Sequence, residues 1–387
     1  MIAQLKAELA DRAQAGLKRK RRLLQSPQAA HLVADGQRML SFASNDYLGF
    51  ANHPDLILAF QKAAQEAGVG GGASHLITGH HQFHHEAEQA LAGFVGLPAG
   101  LLFSTGYMAN MGVVASLLGR NDAIFADKLN HASLNDAAVL ARADLNRYAH
   151  QDLVQLEQML AASNAPRKLV IVDAVFSMDG DIAPVPALVA LCEKYDAYLL
   201  LDDAHGFGVL GNQGRGVLSH FNVVSPRIVY MATLGKAAGV AGAFVAGDKT
   251  IIEYLIQSAK TYIYTTASPP ALAATLVAAV DVMQRDEPRH QHLRELIAYF
   301  KENLSLKKWH LMPSDTAIQP IVVGSNEAAI GLSEYLLTRG ILVPAIRPPT
   351  VPKNTARLRI SLSAAHNLDD VQLLIQHLHE AEQVLLA

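Results

Sequence analysis

Short apolar runs alternate with helical patterns along the first two thirds of the chain, and this alternation restricts the fold more than any other feature. GLLFST (100–105), DAIFAD (122–127), KLVIVDAVFS (168–177), AYLLLDD (197–203) and RIVYMAT (227–233) read as strands. HHEAEQALAGFV, YMANMGVVASLL, LVQLEQMLAAS and VPALVALCEKY read as the helices between them. Such alternation implies βαβ units and a mostly parallel sheet. The runs are almost continuously apolar, as in strands buried on both faces. The pattern changes after SPP (268–270): long helical stretches reach about residue 304, followed by AIQPIVVG, ILVPAI and ARLRISLS as short strands and NLDDVQLLIQHLHEAEQVLL as a closing helix. A chain of 387 residues, 50% hydrophobic, has room for one large α/β domain and a smaller α+β one. The expected division is an N-terminal helical segment (1–45, helical over 3–24), a large domain (46–275) and a small C-terminal domain (276–387).

Bulk charge narrows the function classes. A net charge of −3 leaves no overall nucleic-acid signature. No stretch reaches the about 18 apolar residues of a spanning helix, and MIAQLKAELADRAQ carries charges too early for a signal segment. The single cysteine, Cys192, cannot pair within the chain and lies on an amphipathic helix pattern, as a core thiol would. A cytoplasmic protein without membrane or nucleic-acid partners is the expectation.

AYLLLDDAHGFGVLG contains G-x-G-x-x-G at Gly206, Gly208 and Gly211, directly after a strand. A dinucleotide fingerprint also needs a helix immediately after the glycines and an acid at the end of the next strand. VLGNQGRGVLSHFN is too rich in turn residues to open that helix, and RIVYMAT ends in Ala232-Thr233. The other glycine-rich run, GVGGGA (68–73), follows a helical pattern rather than a strand. Strand ends are more informative, because open parallel sheets bind ligands there. One strand delivers Asp202 and then His205. The next, about 30 residues on, delivers Thr233 and Lys236 in TLGKAAG. Ser177 follows a third strand, in FSMDGD. Gly106 and Tyr107 open a helix after a fourth, where backbone N–H groups favour a phosphate. One cofactor uses this set together. Pyridoxal phosphate takes a lysine at its aldehyde, a carboxylate at its ring nitrogen, and hydroxyls with a helix N-terminus at its phosphate. Singly, each residue has a plainer explanation: a turn cap for Asp203 or Ser177, a surface amine for Lys236.

SNDYLGF (44–50), GYMANMG, NHAS (130–133), VFSMDGD, DDAHGFGVLG, QGRG, TLGKAAG and LRISLSAAH (358–366) together resemble the α-oxoamine synthases, a branch of the fold-type I pyridoxal phosphate enzymes, over nearly the whole chain. The stretch AIRPPTVPKNTARLRISLSAAH (345–366) is most similar to the member that joins L-alanine to a pimeloyl thioester in biotin biosynthesis. The resemblance implies a homodimeric acyltransferase with a large pyridoxal phosphate domain. Lys236 would bind the cofactor covalently and act as acid–base at Cα. Asp202 would pair with the ring nitrogen, His205 with the ring's phenolic oxygen side, and His131 would stack on the ring face and approach the amino-acid carboxylate. Gly106, Tyr107 and Thr233 would hold the phosphate, and Ser177 would also touch the cofactor. Arg359 would bind the substrate carboxylate, a task suited to a planar bidentate cation. Asn45 and Thr350 would lie near substrate, and Thr265 and Thr266 would reach the phosphate of a partner subunit. An N-terminal arginine would touch the acyl chain: Arg19 by position, with Arg21 and Arg22 as alternatives in a run that otherwise reads as a solvated helix face. The acyl carrier, CoA or protein, stays open, as does a sister activity joining glycine to acetyl-CoA.

GHHQFHHEAE (79–88) offers His80/His84 and His81/His85 at helical spacing, as a metal pair would. Without an H-E-x-x-H arrangement, and with 17 histidines in the chain, it reads as the surface where a helix begins, and no metal is assigned. A non-catalytic relative keeping the fold would be expected to lose Lys236 or Asp202, and this chain has both.

Overall fold

The computed structural model describes residues 1–385. It comprises two compact units. One holds Asp46–Ser177 and Asp181–Gln291; the other holds the N-terminal 45 residues, Met178–Gly180 and the chain from His292 onward.

The first unit is built on a seven-stranded sheet. Its order is Ala99–Phe103, Ala243–Gly247, Ile228–Thr233, Tyr198–Asp202, Lys168–Asp173, Ala123–Asp127, Asp144–Tyr148. Only Ala243–Gly247 runs against the rest. Leu169–Val172, Leu199–Leu201 and Val229–Ala232 are buried on both faces, which is why their sequences lack alternation. Helices Gly106–Leu117 and Ala132–Ala141 supply Val113, Val114, Leu134 and Ala138 to one face of this core. Helix Pro270–Arg285 packs against Pro54–Ala67 and Gln82–Phe94, and its Ala273, Leu276, Val280 and Met283 are buried. It therefore belongs wholly to the sheet unit, and the division falls after Gln291 rather than after residue 275. Two strands escaped the sequence patterns. Asp144–Tyr148 is a polar edge strand, and Ala243–Gly247 is five small or apolar residues framed by glycines.

In the second unit, Ile318–Gly324 pairs antiparallel with Ala356–Ser361, flanked by His310–Leu311 and Ala345–Ile346. The N-terminal residues are not a separate helical piece. His31–Ala34 and Gln37–Ser41 form a hairpin that adds Ile341–Leu342 in parallel, so both ends of the chain share one unit. The first helix covers Ile2–Gln14, not 3–24. Gly16 adopts φ +64°, a left-handed conformation that ends a helix, and its carbonyl accepts from Arg347. LKRKRR beyond it is non-helical, so the basic run is not a helix face. Like charges three and four apart there, such as Lys18 with Arg21 and Arg22, disfavour further turns. No helix among the described residues is long and apolar enough to cross a membrane.

Candidate active site

Four strands of the sheet unit lie side by side and end in Thr233, Asp202, Asp173 and Asp127. Polar groups thus collect at one edge of an otherwise apolar sheet, where parallel architectures bind ligands. The turn after Thr233 carries Lys236, whose Nζ lies 3.0 Å from His205 Nε2. That turn needs Gly239: its φ is +68°, and a Cβ there would sit 2.4 Å from the Phe50 carbonyl carbon. His205 Nδ1 lies 2.7 Å from the hydroxyl of Tyr47, a fully buried residue of SNDYLGF.

Asp202 is buried. Its Oδ2 accepts from Asn110 Nδ2 at 2.8 Å, and its Oδ1 from the Ala204 N–H at 3.1 Å. Burial pushes its carboxyl above the usual range, against the Lys236 charge and these two donors. A carboxylate so placed gains from a further cation close by. Asn110 also donates to Ser133 Oγ at 2.9 Å, and Ser133 Oγ lies 2.8 Å from His131 Nδ1. One buried amide therefore links Asp202 to His131. His131 caps helix Ala132–Ala141, and its backbone N–H donates to Asp173 Oδ2 at 2.6 Å. The residue is exposed at the surface of the unit, yet its ring is desolvated enough to hold its pKa below the ordinary histidine value despite Asp202. Asp173 pairs in register with Asp202; burial and then the neighbouring charge push it well above the carboxylate range.

Gly106 starts helix Gly106–Leu117, capped by Thr105 Oγ1, which accepts from Met108 N–H. A Cβ at Gly106 would lie 2.5 Å from Thr233 Cγ2, so only glycine lets that helix start approach the strand end. Tyr107 points its side chain outward and donates its hydroxyl to Asp136. Ser177 lies in the turn after Lys168–Asp173, beside the Val175–Ile182 bridge. Asp203, expected at most as a cap, accepts from Val217 N–H at 2.7 Å and Tyr230 hydroxyl at 2.8 Å, which folds the glycine loop back. Gly208 and Gly211 take positive φ values within turns; a three-residue 3-10 turn, Asn212–Gly214, follows at once, and the next α-helix begins only at Val217.

The structure thus gathers Lys236, His205, Asp202, His131, Thr233, Gly106 and Ser177 in one unit. Asn45, Arg359, Thr350 and Arg19 belong to the other. There Arg359, on the strand Ala356–Ser361, is buried, and its Nη1 donates to Asn45 Oδ1 at 3.1 Å and Ser361 Oγ at 2.7 Å. Thr350 is exposed after the cis Pro348–Pro349 bond. Arg19 and Arg21 are exposed, and Arg22 pairs with Asp35 at 3.3 Å. Thr266 bridges to Ser74, with Thr265 next to it. The sequence patterns missed Tyr47 and Asn110. An amide inside the mostly apolar helix pattern YMANMGVVASLL was the one available signal for Asn110.

The histidine cluster differs from its expected form. The helix begins at Gln82, so His80 and His81 precede it. His81 and His84 form a reciprocal cap, with His81 N–H donating to His84 Nδ1 at 2.9 Å. His84 Nε2 lies 2.8 Å from Ser268 O. His75 and His80 meet through their Nδ1 atoms at 3.0 Å, and burial holds His75 down to about 4.

The sequence profile of the aminotransferase class I and II family matches residues 37–378. A protein of Methylobacillus flagellatus called 8-amino-7-oxononanoate synthase is 62% identical over 383 residues, covering 99% of this chain and 97% of its own. A Nitrosospira multiformis protein of the same name is 59% identical over 379 residues, covering 98% and 96%. Among solved structures, serine palmitoyltransferase from S. paucimobilis, with a bound PLP–myriocin aldimine, superposes with a TM-score of 0.92 at 28% identity, covering 98% of this chain and 97% of its own. The 8-amino-7-oxononanoate synthase of Francisella tularensis superposes with a TM-score of 0.77 at 29% identity, covering 90% and 99%. The fold is that of the fold-type I transferases expected from the sequence. The chain belongs to the class I and II aminotransferase family and, within it, to the 8-amino-7-oxononanoate synthases.

Proposed function

We propose that the chain catalyses the decarboxylative condensation of L-alanine with a pimeloyl thioester, giving 8-amino-7-oxononanoate, CO2 and the free thiol carrier. The observation that carries this reading is the convergence of Lys236, His205 and buried Asp202 at adjacent strand ends. The donor set fits pyridoxal phosphate. An amine, a buried acid whose charge burial disfavours, and a glycine-started helix against Thr233 match its aldehyde, ring nitrogen and phosphate. When bound, the cofactor supplies a sink for the electron pair left at the amino acid's Cα.

The chain's own groups do the rest. Lys236 Nζ is the attachment amine, and it takes the proton from alanine Cα and returns one there after CO2 has left. Asp202 holds a proton on the ring nitrogen, and Asn110 holds Asp202. Tyr47 fixes the His205 ring through Nδ1, leaving Nε2 toward Lys236 and the ring oxygen. His131, whose desolvated ring disfavours the charged form, would cover the ring face. Gly106, Tyr107 and Thr233 receive the phosphate, and Ser177 contacts the cofactor. Arg359, aimed by Asn45 and Ser361, binds the substrate carboxylate as a planar cation. Thr350 faces substrate, and one of Arg19, Arg21 and Arg22 serves the acyl substrate. We place the working form as a cytoplasmic homodimer, in which Thr265 and Thr266 reach the phosphate of the second copy.

The test supplies cofactor, L-alanine and pimeloyl-CoA, follows free CoA, and weighs the product. Thiol release with the mass of 8-amino-7-oxononanoate is expected. Release only with glycine and acetyl-CoA would move the chain to the sister activity.

A further inference from the structure

His150, in RYAHQD after the strand Asp144–Tyr148, has both ring nitrogens on carboxylates. Nδ1 lies 3.2 Å from both oxygens of Asp127, and Nε2 lies 2.9 Å from Asp181 Oδ2. The ring stands edge-on to Phe176, centroids 4.4 Å apart at 85°. A neutral imidazole has one N–H, so two donated bonds require the charged ring. Burial opposes that charge. The bonds and fields of Asp127 and Asp181 together outweigh it and raise the pKa to about 10.

The two carboxylates anchor different loops. Asp127, fully buried, also accepts from Leu129 N–H at 2.8 Å and Gln151 N–H at 2.9 Å. It thereby shapes the turn that leads to Asn130 and His131. Asn130 Nδ2 continues to Ile171 O at 2.8 Å. Asp181 closes the VFSMDGD turn that contains Ser177: its carbonyl accepts from Phe176 N–H at 3.0 Å, next to the Val175–Ile182 bridge. We infer that His150, donating from both ring nitrogens, is a positioning residue that staples the His131 loop to the Ser177 turn. This rests on the cofactor-facing roles proposed above for His131 and Ser177. On that reading His150 acts through His131 and Ser177, fixing the distance between them.

The test uses His150→Gln, which keeps one donor, and His150→Phe, which keeps none, each beside the parent chain. In cofactor-free protein, histidine NMR of the parent, assigned by the signal lost in His150→Gln, should show a ring still protonated at mildly alkaline pH. A ring that titrates with ordinary histidines overturns the staple, whatever the enzyme's reaction. Titration of each apo variant with pyridoxal phosphate, followed by visible absorption, should show weaker binding or a shifted band in the order Phe, then Gln, then parent. In turnover, kcat should fall about 10- to 100-fold in His150→Phe, as misplacement by about 1 Å does, with KM for the thioester within about twofold of the parent. His150→Gln should recover part of the loss. Cofactor spectra and kcat equal to the parent's in both variants would overturn the proposal. So would a kcat loss that merely tracks the folded fraction in urea. If the parent shows no turnover, the NMR and the cofactor titration still decide.

Discussion

Asn110→Ala is the sharpest perturbation of the site. It removes one nitrogen that donates both to Asp202 Oδ2 and to Ser133 Oγ. A hydrogen bond to a charged group contributes about 1.5–3 kcal/mol and a neutral one about 0.5–1.5 kcal/mol. Asn110 Oδ1 has no partner among the described residues. Deleting it relieves an unsatisfied acceptor, worth about 1–3 kcal/mol. The net cost to stability is therefore small, about 1–2 kcal/mol, which lowers Tm by a few degrees in a chain of this size. The functional cost is larger, because the charged bond is the one that keeps Asp202 ionised and aimed. At about 1.4 kcal/mol per tenfold, losing it reduces kcat about 10- to 100-fold. CoA release at saturating alanine and pimeloyl-CoA, measured beside thermal unfolding, separates the two effects. A kcat within twofold of the parent, with Tm lowered as expected, would refute the claim that this amide supports catalysis.

Two further outcomes follow from other parts of the structure. Glu88, buried under Leu102 N–H, is pushed by burial from 4.5 up to about 8. The folded state therefore holds this proton more tightly than the unfolded chain does. Glu88 should contribute no penalty below about pH 4.5 and a growing one as pH rises toward 8, at most about 5 kcal/mol. Urea unfolding of Glu88→Gln across that window should lack this decline. Arg359→Lys keeps the charge but loses the planar fork, so KM for alanine should rise about tenfold with a smaller change in kcat. An unchanged KM would remove Arg359 from the carboxylate site.

Lys236, Asp202 and His205 stood out as candidates because adjacent buried strands end in Asp202 and Thr233, with His205 and Lys236 three residues beyond, and strand ends are where such sheets bind ligands. Their supporting shell did not. Tyr47 meets His205 across 158 residues of sequence, and no local pattern encodes that pairing. Asn110 stood out only as an amide in a mostly apolar helix pattern, which reads equally well as a packing defect. No pattern marked His150, because its partners, Asp127 at a strand end and Asp181 in another turn, lie 23 and 31 residues away. The first helix was overextended because apolar spacing continues past Gly16, whose left-handed backbone stops it. The edge strand Asp144–Tyr148 was invisible because partial exposure removes the apolar run that marked its neighbours.

The amine at 236 carries the cofactor, on the reading proposed here, while the acid at 202 serves the far side of its ring. Borohydride reduction of the cofactor-loaded protein, followed by peptide mass mapping, tests that division most directly. A reduced pyridoxyl phosphate adduct is expected on the peptide containing Lys236 and on no other. An adduct on a different lysine, or a loaded chain that reduction leaves unmodified, would contradict it.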